Sequence, residues 1–208
     1  MWFPILITIL VGYLLGNLNG AVCISNLVAH EDVRDQGSGN AGLTNFIRNY
    51  GASRSLAVIA IDGGKAALSC LVGMLMLRPF GMELEGGAIG GAAVMLGHVF
   101  PVLLGFRGGK GILSGFFVAL TLDWRVALLI LAAFAVAYFT TQYVSLGSTL
   151  GALFFGVGFV IFHHNSWIIC LCGLLMAGLA VFMHRENIRR LLRKEERKTN
   201  LFGKGRKA

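Results

Sequence analysis

The sequence predicts an all-α integral membrane protein, a bundle of about seven transmembrane helices forming one domain over residues 1–208. Three observations lead there. Apolar runs of span length recur along the whole chain. Charged residues make up only 13% of the 208 positions, against roughly 25% in soluble domains, and mean hydropathy is +0.73. Lys and Arg gather on alternate inter-span segments, as the positive-inside rule requires of a multi-pass protein.

The first span, 3–25, is apolar from Trp2 and has no basic residue before Arg34. It lacks the positive start and small-residue cleavage site of a signal peptide, so it reads as a true span. Gly12, Gly16 and Gly20 form a double G-x-x-x-G stripe suited to close helix approach. The loop 26–53 carries the densest polar string of the chain, Gly37-Ser38-Gly39-Asn40-Ala41-Gly42-Leu43-Thr44-Asn45, followed by Arg48. Its glycines permit positive φ and free N–H groups, and its amides and hydroxyls add donors.

The second span, 54–77, contains Asp62 and Lys65 at i and i+3, on one face. Ionisable groups at such depth pair with each other or face a polar cavity. The third span, 86–104, has the small pair Gly87 and Gly91, then His98 and Pro101 near its end. A turn Gly108-Gly109-Lys110-Gly111 opens the fourth span, 111–122. A helix N-terminus offers unpaired N–H groups and a positive dipole end, and Lys110 adds a full charge, which suits phosphate. It is not a Walker A motif, because position 104 is leucine.

The fourth span and the fifth, 125–140, are short for a bilayer core, so tilted, re-entrant or broken passages stay open. The sixth, 144–162, repeats the small-residue pair at Gly147 and Gly151, and the seventh is 166–183. His184-Arg185-Glu186-Asn187 ends it and begins a basic tail, 185–208, expected to start as a helical extension of the last span. Cys23, Cys70, Cys170 and Cys172 lie in or beside apolar segments and read as small buried hydrophobes.

Seven spans place 26–53, 105–110, 141–143 and the tail on one side, with 15 of the 18 Lys and Arg once Arg54, at the edge of the second span, is counted there. Arg78 and Arg125 lie on the other, and Lys65 is inside a span. The basic side is therefore expected to be cytoplasmic and the N-terminus outside. The net charge of +8 suits orientation in a membrane and attraction to anionic headgroups; no nucleic-acid partner is expected. All three polar clusters fall on the basic side, where they are expected to converge on an anionic, phosphate-bearing substrate.

Three ordered motifs carry a resemblance: Gly37–Asn45 with Arg48, Gly97-His98-x-Phe100-Pro101 leading into Gly108–Gly111, and His184-Arg-Glu-Asn-Ile188. Together with Asp62, Lys65 and Tyr143-Val144-Ser145-Leu146, the chain resembles the bacterial acyl-phosphate:glycerol-3-phosphate acyltransferase family over almost its whole length. Leu43 where alanine is usual and Arg107 where lysine is common are its departures; neither removes a polar group. The resemblance implies a seven-span enzyme of the bacterial inner membrane, with its active site on the cytoplasmic face. Such an enzyme transfers an acyl chain from acyl phosphate to the 1-hydroxyl of glycerol 3-phosphate, early in phospholipid synthesis. It further implies no metal or other cofactor, no covalent acyl-enzyme, and a functional link to the enzyme that makes acyl phosphate.

On this reading Lys110, His184, Glu186 and Arg48 are the catalytic candidates. Gly37, Ser38, Gly39, Asn40, Thr44, Asn45, Asp62, Lys65, His98, Gly108, Gly109, Gly111, Ser145, Arg185 and Asn187 are the candidates for binding substrate and phosphate. His30 and Asp35 match the H-x4-D signature of a different, thioester-using glycerolipid acyltransferase class. The basic and Phe-Pro-rich blocks that accompany it elsewhere are missing, so the match reads as accidental. A transporter or channel for a phosphate-bearing anion is the competing class; the sequence displays no internal repeat of the kind common in transporters.

Overall fold

The computed structural model describes residues 1–199 and is helical throughout. Its first apolar segment is two helices, α1 (Trp2–Gly16) and α2 (Gly20–Ala29). The sequence pattern predicts one unbroken span there. The break falls where asparagine side chains compete for the backbone: Asn17 Nδ2 donates to the Tyr13 carbonyl, and Asn19 caps α2 by accepting from the Val22 N–H. Lys65 bonds to the carbonyls of Gly16 and Leu18, and Leu103 N–H donates to Asn17 Oδ1. Irregular backbone at this depth is tolerable because protein groups satisfy it.

A short helix, α3 (Leu43–Tyr50), precedes α4 (Ala52–Leu77) and α5 (Glu83–Val99). Then come α6 (Ile112–Leu122), α7 (Trp124–Thr141), α8 (Val144–Phe162), α9 (Trp167–Met183) and α10 (Arg185–Leu192). Helices α1, α4 and α5 pack mutually, α7, α8 and α9 form a second sequential group, and α5–α9 and α6 join the two. Phe155, Phe159, Met95, Met176, Val118 and Val126 are buried at the junction. Leu6, Leu10, Leu14, Leu71, Leu75, Leu131 and Phe139 are exposed on the outer surface. A helix that is apolar on its exposed side as well as its packed side suits a lipid solvent rather than water.

Among the described residues, five segments are long and apolar enough to cross a membrane: Trp2–Ala29, Ala52–Phe80, Glu83–Leu104, Trp124–Thr141 and Val144–Phe162. A sixth is counted if α9 and α10, bent by 55° at His184, act as one span. The fifth span expected from sequence is thus of full length. The fourth stays short, because α6 has 11 residues, roughly 16 Å of rise against a core of about 30 Å. The tail does start as a helix, but it turns away from α9 rather than extending it. Residues 200–208, the end of the expected basic tail, lie outside the described residues.

Small residues set the helix spacing. A Cβ at Gly73 would lie 2.0 Å from the Gly86 carbonyl oxygen, and one at Gly86 would lie 2.1 Å from that of Gly73. Gly90 meets the Ser69 carbonyl at 2.3 Å and Gly97 the Tyr13 carbonyl at 2.1 Å. The pair singled out by sequence, Gly87 and Gly91, faces side chains of Leu122, Met74 and Val118 instead. The backbone-to-backbone stripe of α5 is one residue over, at Gly86 and Gly90. Gly86→Val should force α4 and α5 apart at an inflexible contact. We expect a loss of about 1–3 kcal/mol or more, visible as a lower thermal midpoint in detergent.

Candidate active site

The three polar clusters converge at one end of the bundle. The Lys110 ammonium donates to Asn187 Oδ1. Asn187 Nδ2 donates to Glu196 Oε1 at 2.9 Å, and Arg190 Nε donates to Glu196 Oε2 at 2.7 Å. Arg48 donates to the Thr199 hydroxyl, Tyr138 OH donates to the Thr199 carbonyl at 3.1 Å, and Thr199 N–H donates to the Gln142 carbonyl at 3.1 Å. The segment 195–199 thereby folds back over the ends of α3, α7 and α10. Lys110, Arg48, Arg190 and the starts of α6 and α8 give this end its positive character.

The first loop is an internally bonded scaffold. Gly37 and Gly39 take positive φ, 59° and 69°, where other residues are strained. Buried Asn45 organises the turn around them. Its Nδ2 reaches the carbonyls of Val33, Gln36 and Asn40, and its Oδ1 accepts from the Ser38 N–H. Gly39 N–H donates to the Gln36 carbonyl. Asn40 lies against Gly42, which caps α3, and Thr44 is in the first turn of that helix.

The glycines of the second turn serve close approach rather than donation. Gly108 N–H donates to the Val99 carbonyl at 3.2 Å and Gly109 N–H to the His98 carbonyl at 3.1 Å. Those donors are therefore occupied, contrary to the expectation that they lie bare for phosphate. A Cβ at Gly108 would sit 1.9 Å from the His98 oxygen, so only glycine lets the turn lie on the last turn of α5. Gly111 takes φ 81° as the cap of α6. Burial pushes the Lys110 amine down to about 8, reinforced by the charge of Arg190 and then of Arg48 and Arg185, with Glu196 opposing.

The third cluster splits in two. His184 and Asn187 are buried at the site. The His184 ring is oriented by Nδ1 donating to the Ala180 carbonyl at 2.8 Å, which leaves the Nε2 lone pair of the neutral ring available. Arg185 and Glu186 are exposed: Arg185 stacks on Phe182 and bonds its carbonyl, and Glu186 pairs with Arg189 at 2.7 Å. Ser145 is buried in the first turn of α8. Asp62, Lys65 and His98 form a buried cluster beneath the turn 108–109. His30 caps α2 and Asp35 ends a short 3-10 turn.

Sequence reasoning missed Glu196, taking the tail as uniformly basic. Its signal was there: Glu195 and Glu196, eight and nine residues after Asn187, interrupt a run of Lys and Arg. Burial works against ionisation of Glu196, but the bonds from Asn187 and Arg190, with Ser145 beside it, hold the carboxyl below the usual range. Glu196→Ala should release 195–199 and leave Asn187 without its acceptor. Trypsin should then cut faster at Arg197 and Lys198, with activity falling in parallel.

A small apolar cavity of about 20 Å³ lies beside the Lys110 turn, lined by Gly111, Ile112, Met95, Gly115, Met176 and Phe155.

The family model described as "Glycerol-3-phosphate acyltransferase" matches residues 6–194. The glycerol-3-phosphate acyltransferase of Thermoanaerobacter sp. (strain X514) is 39% identical over 192 residues, 92% of this chain and 94% of that protein. The protein of the same description from Finegoldia magna is 36% identical over 189 residues, 91% and 93% of the two chains. Among solved structures, PlsY (YgiH), an integral membrane glycerol 3-phosphate acyltransferase in its glycerol 3-phosphate form, superimposes with a TM-score of 0.85. The identity is 28%, over 96% of this chain and 99% of that one. Its lysophosphatidic acid form gives a TM-score of 0.80 at 27% identity, over 95% and 96% of the chains. With a family match across most of its length and relatives well above 30% identity, this chain belongs to the glycerol-3-phosphate acyltransferase family.

Proposed function

We propose that this protein transfers an acyl chain from acyl phosphate to the 1-hydroxyl of glycerol 3-phosphate, an early step of bacterial phospholipid synthesis. The products are 1-acylglycerol 3-phosphate and inorganic phosphate. The observation that carries this reading is the junction of Lys110, Asn187, Arg190 and Arg48 at the end of a lipid-facing bundle, with the apolar first turn of α6 directly after Lys110. A cationic, hydrogen-bonding end on a bundle whose outer helix faces are apolar suits a substrate with a phosphate head and an acyl tail.

The chemistry asks mainly for orientation and charge stabilisation. The glycerol hydroxyl attacks the acyl carbon, an ester C–O bond forms, and the anhydride C–O bond breaks to release phosphate. Lys110 holds phosphate charge, with Arg48 and the first turns of α6 and α8 beside it. Ser38, Asn40 and Thr44, on the scaffold that Asn45 builds, close the pocket from the first loop. The hydroxyl proton leaves to a phosphate oxygen of the bound substrates or to His184 Nε2. Arg185 and Glu186 act from the outer face of α10, as a guide for anions and a partner for Arg189. The acyl chain lies between the helices, on the membrane side of the site.

The bundle crosses the bacterial inner membrane seven times, counting short α6 and the α1–α2 pair as one passage each. The N-terminus is outside and the site is cytoplasmic. The asymmetry of 15 basic residues against two supports this orientation. A functional link to the enzyme that supplies acyl phosphate follows from a donor so prone to hydrolysis.

Purified protein in detergent is assayed with glycerol 3-phosphate and either a long-chain acyl phosphate or the matching acyl thioester. Lysophosphatidic acid and equimolar phosphate are expected from acyl phosphate alone. Equal turnover of the thioester would overturn the donor assignment.

A further inference from the structure

The Lys65 ammonium is 4% exposed as a residue and has four acceptors around its three N–H groups. They are Asp62 Oδ1 at 2.8 Å, His98 Nδ1 at 2.9 Å, the Gly16 carbonyl at 3.2 Å and the Leu18 carbonyl. Asp62 Oδ1 also accepts from the Gly20 N–H at 3.0 Å. One buried ion pair thus grips both sides of the α1–α2 break. Since an ammonium only donates, His98 Nδ1 accepts and the ring proton sits on Nε2. That edge of the ring lies flush against the phosphate turn: a Cβ at Gly109 would be 2.2 Å from Nε2 and 3.0 Å from Cε1. The same Cβ position would lie 2.9 Å from the Ala41 carbonyl oxygen, which accepts from Asn19 Nδ2 at 3.0 Å. Gly109 is followed directly by Lys110.

We infer that Asp62, Lys65 and His98 are positioning residues for Lys110, a role that rests on the function proposed above. The pair orients the imidazole, and the imidazole sets the height of Gly109. Gly109, whose open Cβ position faces both the ring and the Ala41 carbonyl, fixes where Lys110 leaves the turn relative to the first loop. None of the three needs to touch substrate. Their common role is to couple two loops of the site through a rigid buried support, and misplacement by about 1 Å can lower turnover as much as 10²-fold.

The test is a double-mutant cycle between His98 and Gly109, read in kcat and KM for each substrate and, in parallel, in thermal midpoint. Gly109 has no positive φ, so its methyl variant is not strained by backbone conformation. Gly109→Ala should lower kcat/KM about tenfold or more by lifting the turn off the ring. In a His98→Ala background only the approach to the Ala41 carbonyl oxygen remains, so the added methyl should cost clearly less in kcat/KM than with the ring present. His98→Asn keeps an acceptor for Lys65 but removes the far edge of the ring. It should keep a near-normal thermal midpoint yet lose activity, and it replaces His98→Ala in the cycle if that variant does not fold. Equal Gly109→Ala penalties with and without the ring would overturn the positioning role, as would full activity of His98→Asn. The unsubstituted chain separates the two claims. Its inactivity with acyl phosphate strikes the proposed function, and the cycle is then decided by the coupling in thermal midpoint.

Discussion

Lys110→Ala is expected to reduce kcat/KM by roughly 10²–10³-fold, the scale seen when a preorganised donor to developing charge is removed. The protein should stay folded and membrane-inserted, because Lys110 is in a turn outside the packed spans and its ammonium bonds Asn187 at the site. An unchanged thermal midpoint with near-normal turnover would refute the role of this ammonium. The same residue predicts the pH profile. Burial and the neighbouring arginines bring its amine down to about 8, below the ordinary lysine value of roughly 10.4. The ammonium is present below that pH and lost above it. The kcat/KM of the free enzyme should therefore fall as pH rises through about 8. Lys110→Arg keeps its charge throughout this range, so it should remove the alkaline limb even if its rate is lower. A limb that persists unchanged in Lys110→Arg would assign it to another group.

Lys65→Met should produce the largest loss of stability. It leaves Asp62, 1% exposed, with its carboxylate facing the Gly20 N–H and His98, and it strips the Gly16 and Leu18 carbonyls of their donor. Breaking a buried pair by removing one partner typically costs about 3–5 kcal/mol. Replacing both members removes the orphaned charge, so Asp62→Leu with Lys65→Met should recover a large part of that loss. Unfolding of detergent-solubilised protein checks both variants. A single variant as stable as the parent would mean that water or headgroups reach Asp62 and that the site is not dry. The double variant should still be poorly active, since its His98 ring has lost the group that orients it.

The sequence was enough to establish a helical membrane protein and the family, because these rest on local or additive properties. Hydropathy is read residue by residue, and the order and spacing of Gly37–Asn45, Gly108–Gly111 and His184–Asn187 survive as a linear pattern. Lys110 stood out for the same reason, as a cation in a turn of glycines. Tertiary structure decided what depends on partners remote in the chain. Asn17 and Asn19 break the first span only because Lys65, 46 or more positions later, satisfies the freed carbonyls. Gly108 and Gly109 were legible as special, but the α5 carbonyls that occupy their N–H groups were not, and close approach rather than donation is their use. Within four consecutive residues, the bend at His184 turns His184 and Asn187 inward and leaves Arg185 and Glu186 in solvent. Glu196 reads as one acid in a basic tail until the chain folds back and sets it against Asn187 and Arg190. Hydrogen bonds and buried charges require specific geometry, and that geometry exists only once helices far apart in sequence have packed.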